Sequence, residues 1–177
     1  MADFKDLDGP IEKLNRLGPD EARAVLLACC GSKRWAAEVA ALRPLWDVGQ
    51  LLNIGGRVWH ELGNEDWLEA FRAHPRIGET KSAADTGAEA RRWSEGEQLR
   101  AREASAEIID ALKEANREYE ERFGFIFIVC ATGKAAEEML ALLRDRLDND
   151  RETELKVAAA EQWRITALRL KKFLNVK

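Results

Sequence analysis

One histidine stands where the backbone would hold its side chain in a fixed position. His74 ends a run in which Trp67, Leu68 and Phe71 recur at helical spacing, and Pro75 follows it directly. A residue before proline is pushed out of the helical region, so we expect the imidazole on a rigid corner. The flanking arginines would disfavour its charged form and leave it able to exchange a proton near pH 7. A histidine here can equally bond only the last helix carbonyls.

A second polar group stands at the start of the next predicted helix. Ser94-Glu95-Gly96-Glu97 fits the S-x-x-E capping box, in which the serine hydroxyl and the glutamate carboxylate each satisfy a free backbone amide. Together with Gln98, these groups would converge at the positive end of a helix, which suits an anionic ligand. The capping role explains Ser94 and Glu97 without any ligand, so both interpretations stand.

One run near residues 125–131 is strongly β-prone and has no evident partner strand. Its buried backbone groups must therefore pair with side chains, water or a ligand. The run either lines a pocket or forms an extended core connection that the protein itself satisfies.

Arg169 stands among apolar residues of the last predicted helix, where its guanidinium needs a carboxylate or another anion unless its stem reaches water. Structural pairing is the default interpretation of that arginine.

The composition predicts one all-α domain, a multi-helix bundle that spans residues 1–177. Charged residues make up 34% and hydrophobic ones 46% of the chain, with 12 glycines and 4 prolines. A net charge of −4 with mixed signs argues against nucleic-acid binding. Neither a membrane span nor a signal peptide is evident, so we expect a cytoplasmic protein. The three cysteines lack metal-ligand spacing and are predicted to be reduced packing residues, with no metal site.

Capping and breaking residues predict where the helices begin and end. Gly55-Gly56 either weakens its helix or admits a close neighbouring helix, and His60 is predicted to be a surface or packing residue. The expected helices are Phe4 to Leu17, Asp20 to Cys30, one capped by Ser32, one from Asp47 to about Leu62, one capped by Asn64, a long one from Ser94 to about Arg122, one from Thr132, and a last one after a turn at Asp148-Asn149-Asp150.

In this order and spacing, several short motifs resemble one family. The sequence is similar to the decarboxylases of 2-oxo-4-hydroxy-4-carboxy-5-ureidoimidazoline, or OHCU, from uric acid breakdown, over most of its length. The motifs that carry the resemblance are His74-Pro75 after a helix, Ser94-x-x-Glu97-Gln98, Arg122-Phe123-Gly124-Phe125-x-Phe127, Cys130-Ala131 and Ala167-Leu168-Arg169-Leu170. The sequence departs from the family pattern at Ile126, where proline is frequent, and at Leu99-Arg100, where small residues are usual.

The resemblance implies an all-helical homodimer that needs no cofactor and converts OHCU to (S)-allantoin and carbon dioxide. It assigns catalysis to His74, as the acid/base residue, and to Glu97. It implies further that the substrate contacts come from Pro75, Ser94, Glu95, Gly96, Glu97, Gln98, Phe127, Ile128, Val129, Cys130, Ala131 and Arg169. Two other readings remain open: a helical protein-interaction module with tryptophan-rich faces, and a different cofactor-free lyase or isomerase that acts on another ureido acid.

Overall fold

The computed structural model describes residues 9–74 and 105–176. Within these two ranges the backbone is helical or irregular and contains no β-strand, which confirms the all-α prediction. A non-helical segment at residues 125–131 joins two of the helices, at the place where the sequence predicts an extended segment. The helices of the described ranges are α1 (Glu12–Asn15), α2 (Pro19–Cys30), α3 (Lys33–Ala41), α4 (Val48–Glu61), α5 (Asn64–Arg72), α6 (Ala106–Phe123), α7 (Ala136–Leu147) and α8 (Arg151–Leu174).

Side-chain caps fix several helix starts where the sequence predicts them. The side chains of Ser32, Asp47 and Asp150 each accept a hydrogen bond from the backbone N–H three residues further on, at 3.3, 2.6 and 2.9 Å respectively. Each bond satisfies one of the amides that a helix start leaves without an intrahelical partner. The predicted starts at Ser32 and Asp47 and the turn before α8 are therefore confirmed.

Several predicted helix bounds differ from those of the described residues. Gly63, not Asn64, is the N-cap of α5, and Asn64 is its first helical residue. The helix that ends at Phe123 begins after Ser105, whose extended backbone and side-chain cap separate α6 from anything before it. The long helix expected from Ser94 is therefore not continuous, and Ser94 itself lies outside the described residues. The expected helix from Phe4 reduces, in the described part, to the single turn of α1.

The helix predicted to begin at Thr132 begins four residues later, at Ala136. Thr132 lies in a turn with Gly133, which has a φ of 85° in the left-handed region that glycine adopts without strain. The carboxylate of Glu138 then accepts a hydrogen bond from the N–H of Ala135 at 2.7 Å, so this helix start is capped from its third position. The turn separates the non-helical residues 127–131 from α7.

Helix α8 forms the axis of the fold and packs against α2, α4 and α5. Gly55 and Gly56 of α4 allow the closest of these approaches, because a Cβ at Gly55 would lie 2.9 Å from Cη2 of Trp163 on α8. The prediction that this glycine pair admits a neighbouring helix is confirmed. Helices α2 and α3 pack on each other, as do α6 and α7. Among the described helices, none is long and apolar enough to cross a membrane.

Tryptophans belong largely to the core. Trp35 and Trp59 are fully buried, and their indole N–H groups donate to the carbonyls of Gly55 at 2.9 Å and Ala159 at 2.8 Å. Buried indoles with satisfied N–H groups are packing residues. Trp46 differs, since 69% of it is exposed. The faces proposed for a tryptophan-rich interaction module are thus mostly turned inward.

Candidate active site

His74 lies on the corner that the sequence predicts. It follows the C-terminus of α5 in a turn, and its backbone N–H donates to the carbonyl of Phe71 at 3.1 Å. Phe71 is buried and packs its ring against that of Phe125, with centroids 5.5 Å apart. The residue is partly exposed as a whole, but its Nε2 atom is buried and makes no hydrogen bond in the described structure. The corner is therefore anchored to the extended segment through Phe71.

A buried polar stripe on α8 faces this corner. Gln162, Thr166 and Arg169 recur at spacings of four and three residues, which places them on one side of the helix. All three are buried, with at most 3% of Arg169 exposed. The Nε2 group of Gln162 donates to the backbone carbonyl of Cys30 at 3.0 Å, which ties α8 to the end of α2. Polar side chains on the inner face of a helix are expected to serve pairing or function.

The surroundings of His74 keep its imidazole neutral. Burial lowers the pKa of His74 well below 6.5, because the charged form loses its hydration, and the positive charge of Arg169 lowers this pKa further. The side chain of Gln162 acts in the opposite direction and raises it. The sequence-based argument attributed the depressed pKa to the flanking Arg72 and Arg76. Arg72 is exposed and Arg76 lies outside the described residues; among the described arginines, Arg169 is the one that lowers the pKa of His74.

All five residues of the extended segment from Phe127 to Ala131 are buried. Side chains satisfy part of their backbone: Glu161 of α8 accepts from the N–H of Cys130 at 2.8 Å, and Lys134 Nζ donates to the Cys130 carbonyl at 2.7 Å. Pairing with side chains, one of the predicted solutions, is thus confirmed. Within the described ranges, no protein acceptor takes the N–H groups of Val129 and Ala131.

A buried ionic cluster supports the same segment from the other side. Glu154 is fully buried and accepts hydrogen bonds from the Tyr119 hydroxyl and from Arg146, whose Nε lies 2.7 Å from Oε1. Arg146 also donates through Nη1 to the Ile128 carbonyl at 2.8 Å, and its guanidinium lies 4.6 Å from the centre of the Phe127 ring. The cluster fixes one backbone carbonyl and one ring of the extended segment.

The three cysteines of the chain are buried and form no disulfide, as predicted. Burial raises the pKa of Cys30 to about 12, so this thiol stays protonated beside Thr166. Residues 9–74 and 105–176 contain no group of three or more histidine, cysteine, aspartate and glutamate side chains that could hold a metal ion. The other histidine, His60, is exposed on α4, in agreement with its predicted surface role.

The structure thus brings together part of the predicted site. His74 and Arg169 meet at α8, and the extended segment reaches the same helix through Glu161. Sequence reasoning missed Glu161 and Gln162. The helical spacing of the polar residues Gln162 and Arg169 was a signal that could have indicated Gln162. The predicted site residues outside the described ranges are Pro75, Ser94, Glu95, Gly96, Glu97 and Gln98.

Comparison with known proteins identifies the family. The family model described as OHCU decarboxylase matches residues 15–171, which is most of the chain. The chain belongs to the OHCU decarboxylase family. It is 37% identical over 161 residues to the uric acid degradation bifunctional protein TTL of Arabidopsis thaliana, and this match covers 91% of the chain but 48% of that protein. The chain therefore spans about half the length of this relative.

Other members of the OHCU decarboxylase family match over nearly their full length. The OHCU decarboxylase of Haloferax volcanii is 29% identical over 168 residues, with 90% of this chain and 93% of that protein covered. A crystal structure of OHCU decarboxylase in the presence of (S)-allantoin superposes with a TM-score of 0.75 at 36% identity, and covers 86% of this chain and 98% of the other. An (S)-allantoin synthase structure, at 19% identity and a TM-score of 0.67, shares the fold.

Proposed function

We propose that this chain decarboxylates OHCU to (S)-allantoin and carbon dioxide without a cofactor, in uric acid degradation. The observation that carries the proposal is the juxtaposition, in a member of the OHCU decarboxylase family, of a buried neutral imidazole at His74 and a buried cation at Arg169. A neutral imidazole can accept and return a proton, and a fixed cation can stabilise charge that develops on an oxygen or nitrogen. Decarboxylation of a hydroxy acid on an electron-accepting ring requires both.

The chemistry follows from the electron count of the substrate. Cleavage of the bond to the carboxylate releases carbon dioxide and leaves the electron pair in the ring, where it is delocalised towards a nitrogen or oxygen. We assign the stabilisation of this charge to Arg169 and to backbone amides of the segment from Phe127 to Ala131. In this proposal, His74 takes the proton of the substrate hydroxyl and returns it to one face of the ring, and a solvent proton balances the departed carboxylate. Delivery to one face gives a single enantiomer.

The other predicted contacts complete the proposal. Glu97 would orient the hydroxyl or ureido group, and Pro75 with Ser94, Glu95, Gly96 and Gln98 would form the remaining wall of the pocket, as the family resemblance implies. We also propose that the protein acts as a homodimer in the cytoplasm. The resemblance supports the dimer, and the high share of charged residues, 34%, is typical of proteins in an aqueous compartment.

The stereochemistry of the product tests this function. OHCU that is generated freshly in the presence of the purified protein should give (S)-allantoin in excess, whereas spontaneous decay gives no handed excess. Polarimetry or circular dichroism of the product follows the reaction, and a panel of other ureido acids distinguishes OHCU from related substrates. Racemic allantoin formed at the uncatalysed rate would exclude the proposed function. Faster turnover of another ureido acid would indicate that the protein is a different lyase or isomerase.

Replacing Arg169 with Met is expected to move the acid limb of the pH profile upwards. The charge of Arg169 holds the pKa of His74 down, so its removal lets this pKa rise towards 6.5. More imidazolium then forms below pH 6.5, and less neutral base remains to start the reaction. The pH dependence of kcat/KM reports this pKa in the free enzyme. The matched control is Arg144→Met, which removes an exposed arginine of α7 and should leave the limb in place. Identical limbs in all three proteins would contradict the assignment.

A further inference from the structure

Two buried polar atoms at the site lack hydrogen-bond partners in the described structure. One is Nε2 of His74, and the other is Oε1 of Gln162 on α8. The two side chains are neighbours, since Gln162 influences the charge state of His74, and α5 packs directly on α8. A buried polar atom without a partner is destabilising, so a hydrogen bond between these two atoms would stabilise the pair.

The orientation of the Gln162 amide is fixed by its other contacts. Its Nε2 group donates to the Cys30 carbonyl at 3.0 Å and to the Thr166 hydroxyl oxygen at 3.3 Å. The Cys30 carbonyl can only accept, and the Thr166 hydroxyl uses its own hydrogen on the Gln162 backbone carbonyl at 3.0 Å. Both partners of Nε2 thus require a donor, so the amide cannot be turned round. Oε1 is therefore the atom that faces away from Cys30, and it can only accept a hydrogen bond.

From this geometry we propose that Gln162 is a positioning residue that holds the His74 imidazole in the tautomer with its hydrogen on Nε2, with Oε1 as the acceptor. The other ring nitrogen, Nδ1, then keeps its lone pair and exchanges the proton with the substrate. The inference rests on the proposed decarboxylation and adds to it the residue that selects which nitrogen reacts. A His74 with the hydrogen on Nδ1 would place its lone pair against an oxygen that cannot donate, so that tautomer is disfavoured.

The charges around His74 agree with this arrangement. Arg169 of α8 opposes the imidazolium, and the Cys30 thiol of α2 stays neutral because its pKa is raised to about 12. Glu69 lies on α5, the helix that leads into His74. Its carboxylate accepts a hydrogen bond from the backbone N–H of Lys33 and pairs with the ammonium group of the same lysine. Among the described residues, the Gln162 oxygen is then the group that favours a hydrogen on Nε2.

Nitrogen NMR of ¹⁵N-histidine-labelled protein tests the proposal without reference to activity. The chain contains two histidines, so His60→Gln assigns both, and the exposed His60 of α4 is an internal control. In the wild type, His74 should show the Nε2–H tautomer. Gln162→Met removes the acceptor at nearly constant length and should shift the tautomer of His74 towards a mixture. Gln162→Glu places a carboxylate there and should raise the pKa of His74. Neither change should affect His60.

Kinetics of the same variants separate this inference from the proposed function. Gln162→Met should lower kcat on the order of 10²-fold through misplacement of the imidazole, with little change in KM. Gln162→Glu, whose carboxylate favours the imidazolium, should lower kcat most at low pH, and kcat should recover as the pH rises above the raised pKa of His74. An Nδ1–H tautomer in the wild type, or an unchanged tautomer and kcat in Gln162→Met, would overturn the role of Gln162. The wild-type measurement keeps the test decisive even if a variant does not fold, and an inactive wild type would reject the decarboxylation instead.

Discussion

His74→Asn is expected to lower kcat by about 10²- to 10⁴-fold, the usual contribution of a positioned acid/base group. The asparagine amide has a similar polarity, but it cannot exchange a proton near pH 7. The fold should persist, because the buried Nε2 atom of His74 has no hydrogen-bond partner among the described residues and the residue lies partly exposed at the end of α5. The rate of (S)-allantoin formation from freshly generated OHCU measures the effect, and far-UV circular dichroism verifies the fold.

His60→Asn provides the matched control for that loss. It removes the other histidine of the chain, which is exposed on α4 and has no assigned role, so turnover should stay at the wild-type rate. A His74→Asn enzyme that retains a near-normal rate would remove this residue from proton transfer. The role of proton donor to the ring would then pass to Glu97 or to water.

Local features of the fold were accessible from the sequence because they depend on a few neighbouring residues. Ser32 and Asp47 cap their helices through a bond that spans three positions, and the pre-proline position of His74 sets its corner. The Gly55-Gly56 pair signalled a close helix contact but not its partner. That partner, Trp163, lies more than a hundred positions away along the chain. Such information enters only with tertiary packing.

The helix boundary that the sequence misplaced and the polar contacts that it did not predict have one physical cause. An apolar pattern continues across Ser105, but the chain leaves the helical region there because the hydroxyl caps a new start. The sequence-based argument named only the arginines next to His74, whereas Arg169, which lowers the pKa of His74, comes from α8. Gln162 contacts Cys30 across 132 positions, so no local pattern could have placed it beside His74. Long-range pairing of polar groups determines the site, and periodicity alone does not encode it.

Glu154→Leu is expected to lower the free energy of unfolding by about 3–5 kcal/mol, the cost of breaking a buried ion pair. Glu154 is fully buried, and its loss leaves the guanidinium of Arg146 and the hydroxyl of Tyr119 without their carboxylate in the core. The Nη1 group of Arg146 would keep its 2.8 Å hydrogen bond to the Ile128 carbonyl, but without Glu154 the guanidinium would be held less firmly in place. Urea denaturation of the wild type and the variant measures the difference.

A double variant separates the burial of a lone charge from the value of the pair itself. Arg146→Met combined with Glu154→Leu removes both charges and should recover much of the lost stability, since well-packed apolar residues often replace a buried pair at little cost. The control is Lys156→Ala on the same helix, whose pair with Glu152 at 2.7 Å is exposed to solvent and should contribute little to stability. If the double variant stays as unstable as Glu154→Leu, the cluster stabilises the fold through its geometry. The hydrogen bonds to Tyr119 and to the extended segment would then outweigh the desolvation of the charges.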